Sequence, residues 1–244
     1  MGYLLLTIPM ATFGLGTWQV FRREWKLNLI QMLQEKTSIE AIDFPTELSR
    51  LEDLEYRKVK VSGKFDHKKE IFLGPRSLVS DKDDFSGSGL ISHGKQTTIG
   101  LWVITPFEIN DGKKTRILVN RGWIPRNKMD PRTRLEGQVS GLINLVGVVR
   151  HTEPRPPFGS KKRKGSLEWR NRNIEEMAQT VGTEPVFLDA DTSSQVPGGP
   201  VSGQTRVTLR NEHLSYIITW YSLCAITLFL WFTKYGRRKR KIIV

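Results

Sequence analysis

Twenty consecutive uncharged residues, LSYIITWYSLCAITLFLWFT at 214–233, constrain this chain more than any other stretch. A helix of that length rises roughly 30 Å, enough to cross the hydrocarbon core of a bilayer. Arg210, Asn211, Glu212 and His213 come just before it, after a Gly/Pro-rich turn (VPGGPVSGQ) and a short basic strand (TRVTLR). A histidine therefore stands where a polar domain meets an apolar helix. That makes it a candidate ligand position.

A second uncharged apolar run, 2–20, holds the other end of the chain. A signal peptide is the alternative for such a run, but it carries a basic flank ahead of the apolar core and a small-residue cleavage site. Neither is present. The run passes instead into Gly16, Thr17, Trp18 and Gln19, where the indole suits the membrane interface. Pro9, Gly14 and Gly16 are tolerable in a membrane helix. No transit peptide is visible ahead of the run, so the sequence is expected to start at a trimmed end or just before this anchor.

The expected order is a first transmembrane helix at 1–20, a domain at 21–213, a second transmembrane helix at 214–233 and a basic tail at 234–244. Two spans put both termini on one side. The tail carries six basic residues and no acid, which places it inside by the positive-inside rule. The domain then faces the outer side. Arg22, Arg23 and Lys26 run against the rule there, a mild conflict because long domains translocate largely regardless of charge.

The net charge of +13 raises the question of nucleic acid. The tail supplies about six of these charges, and no basic face with interleaved aromatics accompanies the rest. The run KKRK at 161–164 reads as a solvated loop, and no nucleic-acid partner is expected. Cys224 is the only cysteine, which excludes an internal disulfide and a thiolate metal site. The five methionines form no copper-binding cluster.

Within the domain, residues 22–36 read as an amphipathic helix carrying Trp25, Leu29, Met32 and Leu33, continuing the first span. Pro45 opens a short helix with Leu48, Leu51 and Leu54. Period-2 patterns then predict strands at 56–65, with Gly63 as a bulge, 70–75, 101–109, 115–124, 138–150, 185–190 and 205–210. Asn110, Asp111 and Gly112 read as a hairpin turn. Segments 81–95 and 152–170 read as loops, and Asn173 with Glu176 caps a helix ending at Gly182. The expected fold is an α+β membrane protein: two transmembrane helices flanking an antiparallel, barrel-like β domain with a few short helices.

Motifs for nucleotide binding, serine hydrolysis or zinc proteolysis are absent, and no enzyme is expected. Asp66, His67 and Glu70 lie in one turn and read as a turn feature. His93 and His151 lack metal-ligand spacing, and Asp189 with Asp191 resembles a strand exit. His213 differs. Tyr216 and Trp220 follow at i+3 and i+7 on one helical face, an arrangement suited to axial ligation of a hydrophobic haem. The alternative is an interfacial polar anchor in an aromatic belt.

The motifs TFGLGTWQVFRREWKLNLI at 12–30, LEYRKVKVSGKFDHKKE at 54–70, GLIS at 89–92, WVITPF at 102–107, ILVNRGWIPR at 117–126, GGPVSGQTRVTLRNEHLSYIITWYSL at 198–223 and LWF at 230–232 span nearly the whole chain. Together they resemble the Surfeit locus protein 1 family, in its mitochondrial branch. The resemblance implies a non-enzymatic assembly factor of cytochrome c oxidase. It would act in early maturation of the catalytic subunit, around haem a insertion, alongside other assembly factors. It also implies a two-span protein in the lipid of the mitochondrial inner membrane, with both termini in the matrix and the domain in the intermembrane space. Bacterial members bind haem a through a histidine at the start of the second span, and His213 matches that position. Tyr216 and Trp220 would then be haem-face contacts. Residues 159–171 depart from the family, lacking its His-rich stretch around the tryptophan. A scaffold that holds a partner subunit and a haem a carrier both remain open.

Overall fold

A computed structural model describes residues 5–79, 99–155, 167–205 and 211–236. The chain divides into two units. One takes in the described residues up to Met32 and those from Asn211 on; the other runs from Leu33 to Thr205. Segment 81–95, with His93, the KKRK run and residues 206–210 of the strand expected at 205–210 lie outside the described residues.

The first unit is helical. Helix α1 (Thr7–Ser38) is continuous from the apolar run through the amphipathic stretch, its last residues belonging to the second unit. Helix α3 (His213–Trp231) is the charge-free run. Among the described residues one helix, His213–Tyr235, is long and apolar enough to cross a membrane. The described uncharged part of α1 covers 7–21, short of the ~20 residues that a crossing takes.

The second unit is β-rich. Its strands among the described residues are β1 (Ile42–Asp43), β2 (Lys58–Phe65), β3 (Ile71–Ser77), β4 (Ile99–Ile109), β5 (Arg116–Pro125), β6 (Ile143–Arg150), β7 (Glu168–Trp169) and β8 (Phe187–Ala190). They form one sheet in the order β1-β2-β6-β8-β5-β4-β3-β7, and a further β2–β4 pairing bends it into a closed ring. Closure turns on Gly63. The start of β2 pairs with β6 up to Gly63, and from Gly63 onward it pairs with β4, Gly63 facing both Ile143 and Ile109. A Cβ at residue 63 would lie 2.2 Å from the Glu108 carbonyl oxygen. Only glycine lets the two backbones approach so closely.

The expected antiparallel sheet is in fact mixed. β1–β2, β3–β7 and β5–β8 are parallel. Helix α2 (Ile174–Val181) supplies the physical reason for β8. A helical crossover brings the chain back in the direction of β5, which a tight hairpin cannot do. The predicted helix cap is borne out: Asn173 accepts from the Glu176 N–H, and Gly182 closes the helix in the left-handed conformation. The predicted hairpin through Asn110, Asp111 and Gly112 joins β4 to β5 in antiparallel register. The predicted loop at 152–170 is interrupted, because Glu168–Trp169 pair with Phe72 and Leu73. The helix after Pro45 is a 3-10 turn at Leu48–Leu54.

Alternation along the strands sorts the buried apolar residues into three clusters among the described residues, the smallest being Phe72, Leu101, Val103 and Ile124. Ile117 and Val119 of β5 join Phe107, Val59, Leu145 and Leu188 in one cluster. Leu118, between them, joins Trp102, Ile104, Phe187 and Met177 in a second. Helix α2 covers this second face with Ile174, Met177, Ala178 and Val181, an i, i+3, i+4, i+7 stripe. Strands β4 and β5 are therefore buried on both faces, which is why their sequences read as nearly unbroken apolar runs.

Candidate functional site

His213 opens α3, and its half-buried ring meets α1. Its Nδ1 lies 2.7 Å from the side-chain oxygen of Gln19. An acceptor facing Nδ1 keeps the proton on that nitrogen and leaves the lone pair on Nε2, the arrangement that ligating histidines adopt. About two turns further along α3, the Tyr221 hydroxyl meets Thr17 Oγ1 at 3.1 Å, and its ring packs on Phe13 with centroids 5.7 Å apart. The buried Cys224 thiol donates to the Pro9 carbonyl at 3.3 Å. That carbonyl also accepts from the Thr12 hydroxyl at 3.0 Å, so it is shared between α1 and α3. Small residues make the approach possible. A Cβ on Gly16 would stand 2.9 Å from the Tyr221 ring, so glycine at 16 admits the phenol.

Trp220 lies about 20° round α3 from His213 and is half-buried, so the two share a side of the helix. Tyr216 lies about 60° round and is 51% exposed. The structure thus sets Trp220 closer to the histidine's side than Tyr216. Around them α1 and α3 present Phe13, Trp18, Leu214, Ile218, Ile226 and Phe229 outward, apolar surface of the kind that lipid covers.

Gln19, Thr17 and Tyr221 are the contacts that the sequence did not assign. The signal that could have found them is the spacing of small and polar residues on α1: Pro9, Thr12 and Gly16 are buried, with half-buried Gln19 three residues on. That stripe runs along one helix face.

The turn of Asp66, His67 and Glu70 proves to be a structural joint. Asp66 caps its own turn by accepting from the Lys68 N–H. Glu70 is buried and shared by two buried arginines, Arg121 at 3.3 Å and Arg134. Thr105 donates to it at 3.4 Å, and His67 Nδ1 lies 3.3 Å away. Arg121 also donates to the Gly137 carbonyl. Burial opposes ionisation of Glu70, but the hydrogen bonds from His67 and Arg134 and the charges of both arginines outweigh it and hold the carboxyl at about 2. The ion cluster ties β3, β4 and β5 to the segment after β5.

Elsewhere, half-exposed His151 has Nε2 3.3 Å from the Leu51 carbonyl. Asp189 in β8 accepts from Asn120 at 2.8 Å, and Asp191 just beyond it caps a turn at Ser193. Among the described residues no group of three His, Cys, Asp or Glu side chains could hold a metal ion.

The model of the SURF1 family matches residues 7–225. The chain is 51% identical to Surfeit locus protein 1 of Takifugu rubripes, over 97% of each chain. It is 50% identical to Surfeit locus protein 1 of Homo sapiens, over 96% of this chain and 77% of that one. It is 43% identical to the SURF1-like protein of Drosophila melanogaster, over 98% of this chain and 78% of that one. Matched over nearly its whole length, the chain belongs to the SURF1 family.

Proposed function

We propose that the protein is an assembly factor for cytochrome c oxidase, acting in early maturation of the catalytic subunit around haem a insertion. The observation that carries the reading is family membership over nearly the whole chain rather than over one domain. It is not an enzyme in this reading. Its place is the mitochondrial inner membrane, with α3 and the apolar start of α1 as two spans. The packing of α1 on α3 through Gly16, Thr17 and Tyr221 supports that pairing. The six basic residues of the tail support a topology with both termini in the matrix and the β-rich unit in the intermembrane space. Its partners are the oxidase catalytic subunit and other assembly factors.

A second reading, a haem a carrier, is favoured by one specific observation. The Gln19 side-chain oxygen accepts from the Nδ1–H of His213, which leaves Nε2 as a ligand atom at the mouth of an apolar helix. The residues fit the group: His213 would supply the axial nitrogen, Gln19 would hold the ring, and Trp220 would face the macrocycle. The chemistry supplied by the bound group is that of an iron centre accepting an imidazole.

The test titrates the detergent-purified full chain with haem a, beside co-purification of the oxidase catalytic subunit from inner membranes. The carrier reading requires that His213→Ala change the absorption spectrum and weaken binding, and that Gln19→Leu weaken it less. Identical spectra and affinities for wild type and His213→Ala refute it. Loss of co-purification with the catalytic subunit refutes the assembly reading.

A further inference from the structure

The β-rich unit holds a cavity of about 270 Å³ that the proposed function does not use, walled by Arg76, Trp102, Arg150, Glu153 and Arg172. Arg76 stands at the end of β3, just past the register shift that follows Leu73. Such an irregularity re-aims the side chains that follow it. Arg150 ends β6, and Arg172 precedes α2.

Each guanidinium is laid against an aromatic ring. Arg76 lies 4.9 Å from the centre of Trp102, Arg150 4.2 Å from Tyr56 and Arg172 5.3 Å from Phe187. Stacking of this kind fixes the planes of the groups before any ligand arrives.

Three cations share too few anions. Glu153 accepts from Arg76 at 2.6 Å and lies 3.5 Å from Arg172. Asp189 reaches Arg150 only at 3.9 Å, because its oxygens already accept from Asn120 and Thr205. The walls thus carry one positive charge more than they neutralise. Burial pulls the Arg172 pKa down; attraction by Asp189 and Glu153 opposes this, and repulsion by Arg150 and Arg76 adds to it.

Among the described residues three buried donors of this wall have no acceptor: Arg76 Nε, Arg150 Nε and Trp102 Nε1. Trp102 is only 6% exposed. Buried donors are almost always paired, so unpaired ones around a hollow mark a place for an acceptor.

We propose that this cavity binds one oxyanion group, a carboxylate or a phosphate carried by a small ligand. The guanidinium edges match either group in geometry and charge, and the indole N–H adds a third donor.

The test labels the tryptophans of the full chain with nitrogen-15 in detergent and assigns the Trp102 indole signal with Trp102→Phe. Inorganic phosphate and acetate are titrated separately, each against sodium chloride at matched ionic strength. A saturable shift of the Trp102 N–H with either anion is expected, together with a raised thermal midpoint. A response to phosphate alone assigns a phosphate ligand, and a response to acetate alone a carboxylate. Arg150→Lys keeps the charge but loses the Nε donor and should weaken binding by about tenfold. Should that variant fail to fold, Trp102→Phe, read by the thermal midpoint, must show the weakening. The proposal is overturned if neither anion shifts the signal beyond chloride. It is also overturned if a folded variant binds as tightly as wild type.

Discussion

Removing the charge at Glu70 tests how the barrel is tied together. The Glu70→Gln side chain keeps its size and loses the anion that Arg121 and Arg134 share. Those side chains are 3% and 2% exposed, so neither guanidinium can turn to water for compensation. Breaking a buried pair from one side costs about 3–5 kcal/mol, because the partners stay buried and uncompensated. The same joint makes a statement about pH. The folded carboxyl titrates at about 2 against an ordinary 4.5. A depressed carboxyl contributes stability that is complete above 4.5 and disappears as pH falls through about 2. The amount is about 3 kcal/mol, since each pKa unit is worth about 1.4 kcal/mol. Urea unfolding of the purified full chain, followed by the fluorescence of core Trp102, Trp123 and Trp169, reads both quantities. Glu70→Gln should lose about 3–5 kcal/mol near neutral pH. Its stability should also fall less steeply than that of wild type between 4.5 and about 2. A loss below about 1 kcal/mol, or an acid profile that matches wild type, would refute the reasoning.

Gly63→Ala separates close approach from propensity. A strand residue gains about 0.5–1 kcal/mol when glycine becomes alanine, whereas forcing a methyl against the Glu108 carbonyl costs about 1–3 kcal/mol. Destabilisation in the same urea assay is expected, and a stabilised protein would show that β2 can change partners without glycine. Gly16→Leu should push the Tyr221 ring off α1 and uncover Cys224. Maleimide labelling of that thiol should speed up by on the order of tenfold, the effect of about 1.4 kcal/mol on a local opening. An unchanged rate would mean that the helix pair does not depend on this contact.

Much of the fold is legible because its signals are local. The α2 cap needs only Asn173 and Gly182, and the β4–β5 hairpin needs only a turn between two apolar runs. What the sequence hides is pairing at a distance. β7 is two residues long and has no period to detect, and its strand character comes from lying beside Phe72 and Leu73. The direction of β8 likewise depends on where α2 delivers the chain. Gly63 stands in between: its sequence marks an irregularity, but the change of partner that it permits becomes visible only when β4 and β6 are both in place.

The two sites differ in the same way. His213 can be found by its position at the mouth of a charge-free helix, since a titratable ring there stands out against twenty uncharged residues. Gln19, which sets its tautomer, is 194 residues away and ordinary by type. The arginine cavity has no local mark at all. Arg76, Arg150 and Arg172 sit in three separate segments among many basic residues, and a net charge of +13 reads as a solvated surface. Folding changes their meaning, because it removes water from donors that water would otherwise satisfy. Chemistry in this chain is therefore readable where one residue contrasts with its sequence neighbours. It is unreadable where ordinary residues become unusual only through burial together.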